Sequence, residues 1–441
     1  MDRVAGDKDG PVLDAPPRRA GHQAPKPPEK SGAIVSRRAA DRLRHGHLWV
    51  YASDIESIEL PSSSVGDPPS LLPVADSRGL LLGTALYSPA SQIALRLISR
   101  EAIDEPAWLR LLESRLRRAI ERRIPLLKSK EAQTDSCRLC FSEADELPGL
   151  VIDKYAGLIV LQLLVRGLDS ASVRETCVRV LREELQPDAI VERPDPRMRE
   201  LEGLAAPNPA PLWAYEGNEM PARTEFRLNG LVFCFDADAG QKTGAFLDQR
   251  ENYEWVRRWA WILAPGGRAL DVCCYQGGFA LHLARVAKSV TGIDASRASL
   301  EVAERNLEAN RDKVIGKVDW VEGDAFQILR DWSDSGEQFD TIVLDPPAFA
   351  KTHRAVEGAL RGYKELNLRA LKMLRPGGLL VTCTCSHHVS WADFESTVAS
   401  AAADAHRRVR LLERRGAAPD HPVILNLPET EYLKCLVLEA E

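Results

Sequence analysis

Two side chains near the C-terminal end of this chain have the types and surroundings to do covalent chemistry. Cys385 closes the run Leu379-Leu380-Val381-Thr382-Cys383-Thr384, and Asp345 follows Thr341-Ile342-Val343-Leu344 and opens Asp345-Pro346-Pro347-Ala348-Phe349. Short apolar runs that end in turn residues read as buried strands, so both side chains are expected at strand tips on one edge of a parallel sheet. The two prolines fix φ after Asp345 and present its carboxylate and neighbouring carbonyls rigidly. Carbon 5 of a cytosine is too weakly nucleophilic to take a methyl group from a sulfonium directly. A thiolate that adds at C6 turns C5 into an enamine carbon, an acid at N3 stabilises the adduct, and a base that removes the C5 proton lets the thiolate leave. In this scheme Cys385 is the nucleophile and Asp345 serves N3. A free thiol ionises near about pH 8.5 and needs local activation, whose source the sequence does not reveal. His387 and His388 follow closely and could supply the base, or be exposed loop residues. The plainer reading of Cys385 is a small buried hydrophobe. Cys383, two residues back and on the same strand face, is its rival as nucleophile.

A second set of residues points to the methyl donor. The strand Arg268-Ala269-Leu270-Asp271-Val272 runs into Cys273-Cys274-Tyr275-Gln276-Gly277-Gly278-Phe279, followed by an amphipathic helix through Leu283 and Val286. Gly277 and Gly278 lack Cβ atoms, so a ligand can lie over the backbone at the strand's carboxyl edge. Asp294 ends the next strand, where it can accept from two ribose hydroxyls, and Asp324-Ala325 ends a third, suited to an adenine amino group. The full dinucleotide fingerprint and a Walker lysine are absent. The ligand is therefore expected to be a phosphate-free nucleoside, S-adenosylmethionine rather than NAD or ATP, held by Asp271, Tyr275, Gly277, Gly278, Phe279, Asp294, Asp324, Ala325 and Asp345. The alternatives, a helix cap for Asp294 and a turn residue for Asp324, are outweighed by the agreement of three tips in order and spacing.

These tips need a scaffold, and 441 residues with 44% hydrophobic and 28% charged content can bury more than one core. A net charge of −6 excludes a polycation held to nucleic acid by bulk charge, so any such contact is a local patch. Nine cysteines, no secretory segment and no apolar run of membrane-spanning length point to a reducing cytoplasm without disulfides or membrane contact. Cys137-Arg138-Leu139-Cys140 is a lone CxxC pair and reads as structural, so no metal is expected. Residues 1–32, rich in Pro and Arg, read as a disordered tail. From Ile34, short apolar runs between turns suit a compact all-β module over 33–100. A helix over Glu105–Ile124 buries Trp108, Leu112, Leu116 and Ile120, with its arginines expected on a solvated face. With strands at Leu150–Asp153 and Leu158–Val165 and a helix at Ala171–Glu184, it forms a central α/β unit over 101–225. Residues 205–211 read as a Pro-rich loop, and from Phe226 to residue 441 strands and helices alternate as βαβ units.

In combination these segments resemble the bacterial PUA-domain-containing 23S ribosomal RNA cytosine-C5 methyltransferases, over nearly all of the chain after the tail. Arg44-His45-Gly46-His47-Leu48-Trp49-Val50-Tyr51 is similar to the opening of the PUA module, with Gly66-Asp67 and Gly83 as its turns. The stretch from Phe141 to Asp153 is similar to the start of the family's central domain. Gln241-Lys242-Thr243-Gly244-Ala245-Phe246-Leu247-Asp248-Gln249-Arg250 resembles the segment bordering the cofactor's methionine end, which adds Gln249 to the cofactor residues. Arg361-Gly362-Tyr363-Lys364-Glu365-Leu366-Asn367 and Asp420-His421-Pro422-Val423 also fit. The resemblance implies an α/β protein: a Rossmann-like class I methyltransferase domain at the C-terminus, an N-terminal β-rich PUA-like domain and a small central α/β domain. It also implies large-subunit ribosomal RNA as partner, Cys385 at the nucleophile position and Asp345-Pro346-Pro347 as the catalytic loop, and leaves a homodimer open. Ala348 departs from the pattern, since relatives often have Lys there. Two other functions fit the same residues: methylation of a base nitrogen, which would not need Cys385, and a non-catalytic ribosome-assembly role.

Overall fold

The computed structural model describes residues 31–60, 69–205, 211–215, 223–236, 244–350 and 352–441. The expected disorder of the tail, the Gly66-Asp67 turn, most of the Pro-rich loop and Gln241-Lys242-Thr243 lie outside them.

The first unit is a six-stranded sheet in the spatial order 49–51, 93–99, 81–87, 71–76, 32–35, 55–59. It is not all-β as the turn pattern suggested, because a helix spans Arg37–Arg44. Ser36 caps it by accepting from the Ala39 N–H, and Ala39, Ala40 and Leu43 bury one narrow stripe while Arg37 and Arg38 face solvent. Its first strand begins at Gly32, inside the expected tail.

A five-stranded sheet follows, ordered 213–214, 189–192, 158–163, 150–155, 136–141, with helices Glu105–Lys128 and Ala171–Leu185 packed on it. The first helix continues past Ile124 through Pro125. Its arginine face is also less solvated than expected. Arg123 is buried, paired with both oxygens of Asp145 at 2.7 Å, and donates at 2.9 Å to the Asp420 carbonyl of the last domain. The first two units are likewise joined, since Trp49 donates its indole N–H to Glu143 at 2.9 Å and buried Arg96 faces Glu143 and Glu202. Cys137 and Cys140 are buried in strand Ser136–Phe141.

After a hairpin of Arg223–Leu228 and Leu231–Asp236 comes a seven-stranded sheet ordered 317–322, 289–294, 268–272, 339–344, 374–384, 434–440, 409–415. Six strands run parallel, and only Lys434–Ala440 is antiparallel to its neighbours. The order reverses between strands 268–272 and 339–344, which is where doubly wound sheets open a crevice for ligands. The helix after the first strand covers only Gly278–Leu283 and is buried from Phe279 onward rather than amphipathic. Separate apolar cores fill the two faces of this sheet, one around Tyr253, Phe279 and Val381 and the other around Tyr363, Leu380 and Phe394.

Candidate active site

At the crevice the chain after Val272 takes left-handed backbone angles at alternate residues: φ is 62° at Cys273, 50° at Tyr275 and 85° at Gly277. Non-glycine residues in this region are strained by about 1–3 kcal/mol each and persist only where their surroundings impose them. The surroundings here are specific. The Cys274 N–H donates to Ile293 O at 2.9 Å, the Tyr275 N–H to Asp294 Oδ2 at 2.8 Å and the Tyr275 hydroxyl to Gly244 O at 2.9 Å, while Asn306 donates to Gln276 O at 2.9 Å. Asp294 also accepts from the Ser296 N–H at 2.8 Å. It therefore clamps two tips together and is not the helix cap, a role that Ser296 takes. Asp324 does cap a helix, accepting from Gln327 N at 3.0 Å, with Ala325 as the first residue of that helix.

The two glycines have a packing reason that the sequence reading did not give. A Cβ on Gly278 would sit 2.5 Å from the Tyr253 ring, and one on Gly277 would sit 2.9 Å from Trp320. The space their missing side chains leave is thus filled by protein aromatics. The Phe279 side chain points into the core, edge-on to Tyr253 with ring centroids 4.7 Å apart.

Electrostatics give this edge its character. Asp271 is buried and accepts from the Ala280 N–H at 2.8 Å, while its Oδ1 has no hydrogen-bond partner among the described residues. Burial pushes its carboxyl well above the usual range, and the charges of Asp345 and Asp294 push it further. The Cys273 thiol is raised by burial and then by Asp294, Asp345, Asp271 and Asp324. Four carboxylates thus converge on one residue at the strand tips. Such a site repels phosphates and favours a cation. S-adenosylmethionine fits it, because the molecule carries a sulfonium and an ammonium and no phosphate. Asp294 and Asp324 retain free acceptor capacity at their tips, and Asp271 offers an unpaired oxygen.

Across the reversal point lies the second set. Asp345 accepts from Gln249 Nε2 at 3.1 Å, and buried Asn252 donates to Gln249 Oε1 at 2.6 Å, which fixes which end of the Gln249 amide faces the carboxylate. Gln249 is 2% exposed, and Arg250 beside it forms a buried bidentate pair with Asp420 at 2.9 and 3.1 Å. Cys385 is half-buried just past the last residue of strand Leu374–Thr384, its Sγ 4.0 Å from Pro346 O in the Asp-Pro-Pro loop. Both of its neighbours are held by one buried tyrosine: Thr384 Oγ1 donates to the Tyr363 hydroxyl at 2.7 Å, and that hydroxyl lies 2.9 Å from Ser386 Oγ. Ser386 Oγ in turn accepts from Ala350 N at 3.2 Å, which ties the two loops together. Cys383 is fully buried, opposite Cys435 in the ladder, and hydrogen bonding with Cys435 together with burial raises its thiol well above the usual range. His387 is exposed with its ring 5.6 Å from Tyr432, and His388 lies 4.4 Å from His353. Among the described residues no three His, Cys, Asp or Glu side chains group as metal ligands, and no helix is long and apolar enough to cross a membrane.

Comparison with known proteins decides the family. Residues 33–100 match the PUA-like domain family, and residues 201–436 match the S-adenosylmethionine-dependent methyltransferases. The chain is 37% identical over 399 residues to a ribosomal RNA large subunit methyltransferase I of Pseudoalteromonas translucida, spanning 90% of this chain and 96% of that protein. It is 38% identical over 403 residues to the protein of that name from Shewanella amazonensis, spanning 90% and 96%. The chain belongs to the ribosomal RNA large subunit methyltransferase I family. It is an S-adenosylmethionine-dependent methyltransferase with a PUA-like N-terminal domain, and S-adenosylmethionine is its cofactor. A solved methyltransferase from Streptococcus mutans shares the fold, with TM-score 0.75 and 19% identity over 93% of this chain and all of that one.

Several residues of this family member's site were not legible in the sequence as working parts: Asn252, Asp420 with Arg250, and Tyr363 beneath Cys385. The signal for the last was there, since Tyr363 falls on the buried stripe of helix Val356–Met373 with Leu366 and Ala370.

Proposed function

We propose that this methyltransferase acts on C5 of a cytosine in large-subunit ribosomal RNA, in the cytoplasm, with Cys385 as nucleophile. The observation that carries this reading is the contrast between two cysteines at one strand end: Cys383 is sealed in the core, whereas Cys385 lies half-exposed against the Asp345-Pro346-Pro347 loop at the cofactor edge. The names of the relatives support ribosomal RNA as substrate, and the PUA-like domain supports RNA contact. When bound, S-adenosylmethionine supplies an electrophilic methyl group, with Asp294 toward its ribose, Asp324 toward its adenine and Asp271 beneath the turn. Gln249, Tyr275, Gly277, Gly278, Phe279 and Ala325 shape that site, mainly through the turn and its packing.

The Cys385 thiolate forms the S–C6 bond, and the C5=C6 electron pair moves to C5, which becomes nucleophilic. Asp345, in its protonated form, donates to N3 and stabilises the adduct, its orientation fixed by Gln249. Once C5 carries the methyl group, a base takes the C5 proton, the C5=C6 bond re-forms and the S–C6 bond breaks to release Cys385 as thiolate.

The test is RNA carrying 5-fluorocytosine, whose C5 fluorine takes the place of the proton that the base removes and cannot itself leave as one. The native protein should give a complex that survives denaturing electrophoresis, and Cys385→Ala should lose both the complex and methylation. Cys383→Ala should retain part of each. If Cys383→Ala removes the adduct and Cys385→Ala does not, the nucleophile is wrong; if neither affects methylation, a ring or exocyclic nitrogen is the acceptor.

A further inference from the structure

The neighbourhood of Cys385 contains a group that the mechanism above does not use. Lys434 interrupts the apolar run Leu433, Cys435, Leu436, Val437 and is only 4% exposed. It stands directly across the antiparallel ladder from Thr384, the residue before Cys385. Directly opposed residues share a sheet face. Thr384 reaches the Tyr363 hydroxyl on that face, so the lysine stem emerges beside the support that holds Cys385. Among the described residues the ammonium has no hydrogen bond or ion pair, and its tip keeps contact with water while the stem is buried. Its charged neighbours are Glu431, whose carboxylate accepts from the Trp391 indole at 3.0 Å, and Cys385.

We propose that Lys434 activates the nucleophile: its ammonium, on the residue paired with Thr384 immediately before Cys385, favours the thiolate and stabilises it again when the adduct expels it. This rests on Cys385 being the nucleophile. A lysine beside a cysteine is an established way to favour thiolate at neutral pH. Burial lowers the lysine's own pKa while Glu431 and Cys385 act to raise it, which is the same coupling seen from the cation. The carboxylate-rich cofactor edge would work against an anion, so the thiolate gains from a cation on its far side. Lys434 acts through Cys385 and is a positioning residue; it forms no bond to the base.

The experiment uses the full-length protein, and its first readout needs no RNA. Cys385 is alkylated with iodoacetamide across a pH series, and the modified peptide is quantified by mass spectrometry. In Lys434→Met, which keeps the length and removes the charge, the inflection should move up by about one pH unit, the scale of a single nearby charge. Lys434→Arg should restore most of it. Methylation should lose about tenfold in kcat in Lys434→Met with S-adenosylmethionine affinity unchanged. If Lys434→Met fails to bind S-adenosylmethionine, Lys434→Gln carries the same comparison. An unchanged inflection in a variant that binds S-adenosylmethionine normally overturns the proposal. The underlying reading fails separately: methylation that survives Cys385→Ala removes the C5 mechanism, and a shifted inflection would then leave the thiol–ammonium coupling standing without a catalytic use.

Discussion

Replacing Asp294 by alanine tests the cofactor site most directly, because the structure separates two effects. The carboxylate accepts from Tyr275 N and Ser296 N, both at 2.8 Å. Each oxygen has two acceptor positions, so one on each remains for the ribose. Loss of a charged hydrogen bond costs about 1.5–3 kcal/mol, which is roughly 10- to 150-fold in Kd. The same change leaves two backbone N–H groups without acceptors at half-buried positions. It also frees a turn strained at Cys273 and Tyr275, so the protein without cofactor should lose about 1–2 kcal/mol of stability and a few degrees in Tm. Isothermal calorimetry with S-adenosylmethionine reads the first effect, and thermal unfolding without it reads the second. Asp319→Ala is the control: it lies on the neighbouring strand, half-exposed, paired among the described residues only with Lys317 at 2.9 Å, and should alter neither. An affinity for Asp294→Ala within twofold of native would refute the ribose assignment even if Tm falls, since the turn would then be all that Asp294 holds.

Three other outcomes follow from the geometry. Buried His282 receives the Asn229 amide at Nε2 (3.1 Å) and so donates from Nδ1 to Gly278 O (2.7 Å). Burial lowers its pKa from 6.5 to about 4, so its contribution is full above pH 6.5 and is lost as pH falls toward 4, by up to about 1.4 kcal/mol per pH unit; urea unfolding of His282→Gln should show a shallower acid slope, and equal slopes would remove the assignment. Arg250→Met leaves Asp420 buried without its bidentate partner and should destabilise by about 3–5 kcal/mol, whereas adding Asp420→Leu should recover part of the loss in denaturant titrations. Deleting residues 1–100 would bare Glu143 and Glu202, so the RNA role of the first domain is better tested with the exposed Arg37→Glu and Arg38→Glu pair, which should weaken RNA binding, most at low salt, and leave S-adenosylmethionine affinity unchanged.

The sequence showed strand tips and their order because a buried parallel strand is an apolar run that ends where a polar residue meets the crevice: Asp294, Asp345 and Cys385 announce themselves in this way. What it hid depends on partners remote in the chain. Helical periodicity puts Arg123 on the buried stripe with Leu116, Ala119 and Ile120, but that its charge is met there by Asp145 and by the carbonyl of Asp420, 297 residues away, cannot be read from a period. Gln249 and Asp345 are 96 residues apart, and nothing local says that one orients the other. Helix Arg37–Arg44 was missed because three apolar residues among arginines make too short a stripe. The glycines were seen, but their reason was assigned to a ligand when Tyr253 and Trp320 already occupy the space. Lys434 was visible as a lysine inside an apolar strand, an anomaly that calls for a partner and that the motif reading passed over.

The placement of charge across the sheet explains why the covalent chemistry needs its own corner. Strands 268–272, 289–294, 317–322 and 339–344 carry the four carboxylates that favour a cationic methyl donor, and a thiolate among them would be penalised, as the raised Cys273 thiol illustrates. Cys385, the nucleophile proposed above, stands beyond the reversal point just past strand 374–384, next to the strand that carries Lys434. Asp345 sits between the two fields, its carboxylate held by Gln249 at 3.1 Å. A protonated Asp345 is the form that can donate to N3. In the mechanism proposed above, a base entering this crevice would meet Asp345 on the carboxylate side and Cys385, with Lys434 on the adjoining strand, on the other.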